Sequence, residues 1–210
     1  MPPAVERPTS VPAAAASEAK PRAELHGTEL RVPELAISLD LPESWLRWHR
    51  ENGKTHPNLH LSSAELATTK DVKGEWDAEF AQVTNTILPF ETCVAHVGGD
   101  GWGPSSVSFA DVQLRVYSSP LSPNEIAERA HERGGALIAG WGGQLSQPKH
   151  VAGWHRLRLA YVRRYQDYGA TAMVDLWMRP AKDRTLTLAF MYTDRGEHAA
   201  LIQQIVSSVR

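Results

Sequence analysis

The chain of 210 residues has one cysteine, almost no net charge and no long apolar run, and each shortage removes a class of protein. Cys93 alone cannot close an intrachain disulfide or supply a four-cysteine metal centre. Lys and Arg number 22 against 24 Asp and Glu, a formal charge of −2. The chain therefore has no global excess of positive charge to drive binding to nucleic acid or to an anionic membrane. No apolar stretch approaches the roughly 18 residues that a membrane-crossing helix needs. A Gly-x-Ser-x-Gly nucleophile elbow is absent, and no internal repeat of about 20–50 residues is found.

What is present is enough apolar material for one core: 42% of the residues are hydrophobic and seven are tryptophan. Residues 1–27 differ from the rest. Pro2, Pro3, Pro8, Pro12 and Pro21 are set among Ala13–Ala16 and scattered charges, with too few large apolar side chains to offset the entropy of ordering. The composition predicts a disordered Pro/Ala-rich tail over 1–27 and a single α+β domain over 28–210. A secretory leader needs a basic start and an apolar run of about 7–15 residues, which Ala13–Ala16 does not provide. The cytoplasm is the default expectation, with export or lipid anchoring if a leader has been removed.

Leu35, Ile37, Leu39 and Leu41 alternate with Ala36, Ser38 and Asp40, the period of a half-buried strand. Pro42 at a helix start and Gly53 as a stop predict a short helix over 43–52, and Ser62 with Glu65 has capping-box spacing for another. Trp76, Phe80, Val83, Ile87, Phe90, Val94 and Val97 recur at steps of 4 and 3, predicting a helical stripe kinked at Pro89 and hence a helical insertion at about 63–97. Val107–Tyr117 resumes strand character. Ser122, Pro123 and Glu125 predict a capped helix that Gly134-Gly135 stops. Residues 139–150 read as loop or irregular strand. Three runs, 154–165, 170–179 and 184–192, are separated by turn compositions and predict an antiparallel meander. Ile202, Ile205, Val206 and Val209 then make the buried stripe of a closing helix.

A first strand ending in Leu41-Pro42-Glu43-Ser44-Trp45, a capped helix after a middle strand, the meander and a last helix ending Ile205-Val206-Ser207-Ser208-Val209 together resemble the PsbP-like fold. That superfamily includes photosystem-associated proteins, a nuclear-transport cofactor and many bacterial proteins and lipoproteins. The resemblance covers residues 35–45 and 107–210, and residues 46–106 depart from it. It implies an α/β/α sandwich in which helices flank one antiparallel sheet made of the meander with the N-terminal and middle strands. For function it implies a binding or assembly role, and because fold does not fix function no functional residue is carried over.

Two constellations could carry chemistry. Alternation places Arg156, Arg158 and Arg164 on one strand face, with Asp175 as counter-charge and Trp177 beside them, suited to an anionic ligand or acidic partner. Trp102, in Gly98-Gly99-Asp100-Gly101-Trp102-Gly103, is a candidate rim residue. That glycine run follows a predicted helix and precedes a strand, the reverse of a phosphate loop. The second constellation is His56 and His60 with Cys93 and His96, whose short spacings could present ligands to zinc. The expectation is a non-catalytic binding or assembly module for a protein or small ligand, without nucleic acid or cofactor; the alternative is a metal-dependent enzyme or metal-binding protein using the His/Cys cluster.

Overall fold

A computed structural model describes residues 23–43, 49–51, 54–56, 59–60, 75–88, 92–97, 112–165, 168–193 and 196–210. The described chain starts in a hairpin. β1 (Glu24–His26) and β2 (Glu29–Val32) pair with His26 opposite Glu29, and Gly27 in the turn takes φ +63°, where a Cβ would clash with the backbone. Strand structure thus begins inside the stretch that composition assigns to the tail, because a hairpin this short barely changes average composition. A 3-10 turn, Pro33–Leu35, leads to β3 (Ile37–Asp40), which pairs with β2. β1, β2 and β3 form a sheet of their own; the N-terminal strand does not join the meander.

The helix expected over 43–52 is replaced at its described end by β4 (His49–Glu51), paired with β5 (Lys54–His56). Glu51 faces Lys54 across this ribbon, and Gly53, expected as a helix stop, lies outside the described residues. β6 (Leu59–His60) follows, and the capping box at Ser62 lies outside the described residues.

The long stripe divides. α1 (Glu75–Ile87) carries Phe80, Val83 and Ile87 into the core, whereas Val94 and Val97 lie on β7 (Thr92–Val97). A proline at 89 cannot continue the backbone ladder, and Thr92, Val94 and Val97 are β-branched, so the later part of the stripe folds as strand. The 3/4 spacing carried across the break by coincidence. β8 (Gln113–Ser119) completes this segment, and the earlier residues of its expected run, 107–111, lie outside the described set.

Ser122 caps α2 (Pro123–Arg129) as its sequence predicts: the Ser122 hydroxyl accepts from the Glu125 amide at 3.3 Å, and the Glu125 carboxylate accepts from the Ser122 amide at 2.8 Å. The helix does not stop at Gly134-Gly135. It widens into a π turn, Ala130–Gly134, and continues as α3 (Gly135–Gly140). Gly134 is there for closeness: a Cβ on it would lie 2.9 Å from Ile87 Cγ1 of α1. β9 (Gln144–Leu145), β10 (Lys149–Val151), β11 (Trp154–Tyr165), β12 (Tyr168–Ala181), β13 (Arg184–Thr193) and α4 (Gly196–Ser207) end the chain.

The main antiparallel sheet runs β10-β11-β12-β13-β8-β7-β6, with β9 also on β11. One face is covered by helix: Phe80, Ile87, Ile126 and Ile138 pack on Leu157, Leu159, Val174 and Leu176. The other face takes the β1–β3 sheet and α4, whose Leu30, Leu39, Ile202 and Ile205 meet Leu114, Leu188, Phe190 and Trp177. The fold is α+β, antiparallel sheets flanked by helices. β13 is buried on both faces, so its apolar set, Leu186, Leu188, Phe190 and Tyr192, packs in the layer opposite to that of Leu157, Leu159 and Tyr161. The C-terminal residue ties the small sheet down: Arg210 and Ser38 exchange backbone hydrogen bonds of 2.9 and 3.1 Å. Among the described residues no helix is long and apolar enough to cross a membrane.

Candidate functional site

Register on the meander assembles one polar cluster. β11 and β12 place Arg158 opposite Asp175 and Arg156 opposite Trp177, and β13 brings the Tyr192 hydroxyl alongside. The Asp175 side chain is 0% exposed, so its charge must be met inside the protein. It is met twice. Arg156 donates to Asp175 Oδ2 from Nη2 at 2.6 Å and from Nε at 3.2 Å; Arg158 donates from Nε to Oδ1 at 2.7 Å and from Nη2 to Oδ2 at 2.9 Å. Tyr192 donates its hydroxyl to Asp175 Oδ2 at 3.0 Å and accepts from Arg158 Nη2 at 2.7 Å.

Burial pushes the Asp175 carboxyl above its ordinary value, with the hydrogen bond and charge of Arg158 and the Tyr192 hydroxyl pulling against it. For Arg158 burial opposes the charge, but the hydrogen bond and charge of Asp175 prevail and hold its pKa above the ordinary value. Burial, then the Asp175 charge, keep Tyr192 protonated well beyond its usual range, so it serves as a neutral donor.

Asp175, expected as a solvated counter-charge, is therefore the buried centre of the cluster. Trp177 is also buried, at 2% exposure. Its ring lies 4.8 Å from the Arg156 guanidinium, and its indole N–H has no hydrogen-bond partner among the described residues. The alternation that fixed this face on β11 is local; the layer of β1–β3 and α4 that closes over β12 comes from distant parts of the chain.

Two further cations join the face. Lys149 of β10 is the register partner of Arg156 and is exposed. Arg179 lies 4.8 Å over the Trp154 ring, with Nη1 3.5 Å from the Val209 carbonyl, and burial lowers its pKa. Neither forms an ion pair among the described residues. Of these four cations, Arg156 and Arg158 pair with Asp175, and Lys149 and Arg179 add unpaired positive charge to the same face among the described residues. Sequence reading missed Lys149 because it lies in a stretch read as loop, and missed Tyr192 because a tyrosine in an apolar run gives no local sign of its hydroxyl's partner. Arg164 is on β11 at the register position of Gly169, and Trp102 lies outside the described residues.

The His/Cys constellation is only partly gathered. His60 and His96 are register partners across β6 and β7, a pairing that sequence spacing does not suggest. His56 is in the separate β4–β5 ribbon, opposite His49. Cys93 and His96 are on a strand with a bulge between Cys93 and Ala95, not one turn apart on a helix. The Cys93 thiol contacts the Ala95 carbonyl at 3.5 Å, and burial pushes its pKa up to about 11, far from a ready thiolate ligand. No group of three or more His, Cys, Asp or Glu suited to a metal ion occurs among the described residues.

No family model matches this chain. No curated protein matches it either. Among solved structures it is similar to LpqN, involved in cell envelope biogenesis of Mycobacterium tuberculosis, at 8% sequence identity and a TM-score of 0.34 over 55% of this chain and 69% of that one. Similarity of that size establishes neither fold nor function.

Proposed function

We propose that this chain is a non-catalytic binding module that takes an anionic ligand or an acidic partner segment on the β10–β12 face. The observation that carries the reading is the charge on that face: two arginines meet one fully buried carboxylate, and Lys149 and Arg179 on the same face add positive charge that no described carboxylate pairs. Asp175 holds the two guanidinium groups through four hydrogen bonds, while their side chains stay 26% and 32% exposed for Arg156 and Arg158. Fixed arginine forks lose little freedom on meeting a carboxylate or phosphate. The run of capped helix, meander and closing helix supports the PsbP-like reading, in which a binding role is the common one.

The test is a thermal-shift panel of small mono- and polyanions and an acidic peptide on the full chain. Stabilisation that rises with ligand charge, falls with salt and is lost in Lys149→Glu supports the proposal; no ligand-dependent shift in the wild type counts against it. A second reading, metal binding, is favoured by the register pairing of His60 with His96. Metal content of the purified chain before and after His60→Ala decides it.

A further inference from the structure

The sheet face opposite the arginines carries a second His pair. β10 and β11 are joined by a two-residue turn in which Ala152 and Gly153 have φ +48° and +82°, closed by the partners Val151 and Trp154. In such a hairpin the closing pair is hydrogen-bonded and the next pair is not; directly opposed residues of that next pair have Cα atoms only about 4.5 Å apart and side chains in their closest approach. His150 and His155 occupy it. Their ring centroids are 3.9 Å apart with the planes at 60°. His150 is exposed and His155 half-buried at the edge of the sheet, and neither imidazole has a hydrogen bond or ion pair with another described residue.

Two imidazoles held edge to face across a tight hairpin, with their nitrogens uncommitted among the described residues, are a chelating pair. We propose that His150 and His155 bind a late first-row divalent transition metal, with copper(II) favoured because imidazole sites follow the order that peaks at copper. Each ligating nitrogen must come to about 2.0–2.1 Å from the ion, which the exposed His150 ring reaches by turning about its side-chain bonds. The remaining coordination positions are left to water or to a ligand brought from outside. The site does not depend on the anion-binding face, which lies on the other side of the same strands.

The experiment is titration of the metal-stripped full chain with copper(II) sulfate against a glycine competitor, followed by calorimetry and electron paramagnetic resonance. The expected result is one tight copper per chain with the signature of two imidazole nitrogens, weakened by about tenfold or more in both His150→Asn and His155→Asn and unchanged in His131→Asn. His150 is exposed, so His150→Asn keeps the wild-type urea midpoint and a loss of binding is not a loss of fold. Wild-type affinity retained in His150→Asn, or a tight site that survives in the double variant and so belongs to another of the nine histidines or the α-amine, overturns the proposal.

Discussion

Replacing Asp175 with alanine strips the only described counter-charge from two arginines at once. The carboxylate accepts four hydrogen bonds from Arg156 and Arg158 and one from Tyr192. Removing one partner of a buried pair costs about 3–5 kcal/mol. Here the arginine side chains are 26% and 32% exposed and can recover some water, which places Asp175→Ala near the lower bound, about 3 kcal/mol. Arg158→Ala leaves Asp175 with Arg156 and Tyr192 and should cost about 2 kcal/mol, the loss of one charge-assisted fork. Arg156→Ala, whose contacts are one short bond, one long one and a stack on Trp177, should cost about 1 kcal/mol. The assay is urea unfolding of the three variants at one pH, with unchanged m-values required. Asp175→Ala should also lower Tm by about 6–12 °C, at roughly 2–4 °C per kcal/mol for a chain of this size. An Asp175→Ala cost below about 0.5 kcal/mol, the range of ordinary surface changes, would refute the reasoning. So would Arg156→Ala proving the most damaging of the three.

The other predictions rest on separate parts of the fold. Gly143→Ala should destabilise by about 1–3 kcal/mol in the same urea assay, since its Cβ would lie 2.6 Å from the Ala160 carbonyl oxygen and 2.7 Å from Tyr161 Cβ. Gly135→Ala, with open space at the Cβ, should instead be neutral or stabilising by up to about 1 kcal/mol. Cys93, with its thiol pushed up to about 11, should alkylate at pH 8 roughly 200-fold more slowly than an ordinary thiol until denaturant is added; equal rates with and without denaturant would count against its buried position. His155 is held below its ordinary value of 6.5, so its contribution to stability is whole above that pH and is lost as pH falls below it through the lowered folded value. The urea midpoint of His155→Gln should therefore fall less steeply than that of the wild type between pH 7.5 and 5, and parallel curves would refute this.

Features that are local in the chain were legible in the sequence. The meander falls within two residues of its expected bounds because period-two alternation and turn composition are properties of neighbouring residues. The capping box at Ser122 and the buried stripe Ile202, Ile205 and Val206 are legible for the same reason. Residues whose meaning depends on a distant neighbour were not legible. Gly134 looks like a helix stop until Ile87 is placed against it, and Val94 and Val97 continue a helical spacing until β6 and β8 flank them as strands.

The candidate site divides along the same line. The sequence determined by itself that Arg156 and Arg158 share a strand face and that Asp175 is available on the next strand. Only the tertiary structure decided that Asp175 is buried beneath both arginines with Tyr192, that Lys149 and Arg179 join them, and that His150 meets His155. The physical reason is that alternation assigns a side chain to one of two faces, whereas which layer covers that face, and which strand lies beside it, is settled by apolar segments far apart in the chain. Here the β1–β3 sheet and α4 close over β12 but leave the outer part of β11 open, and that boundary makes one carboxylate a core residue and its two arginines a surface.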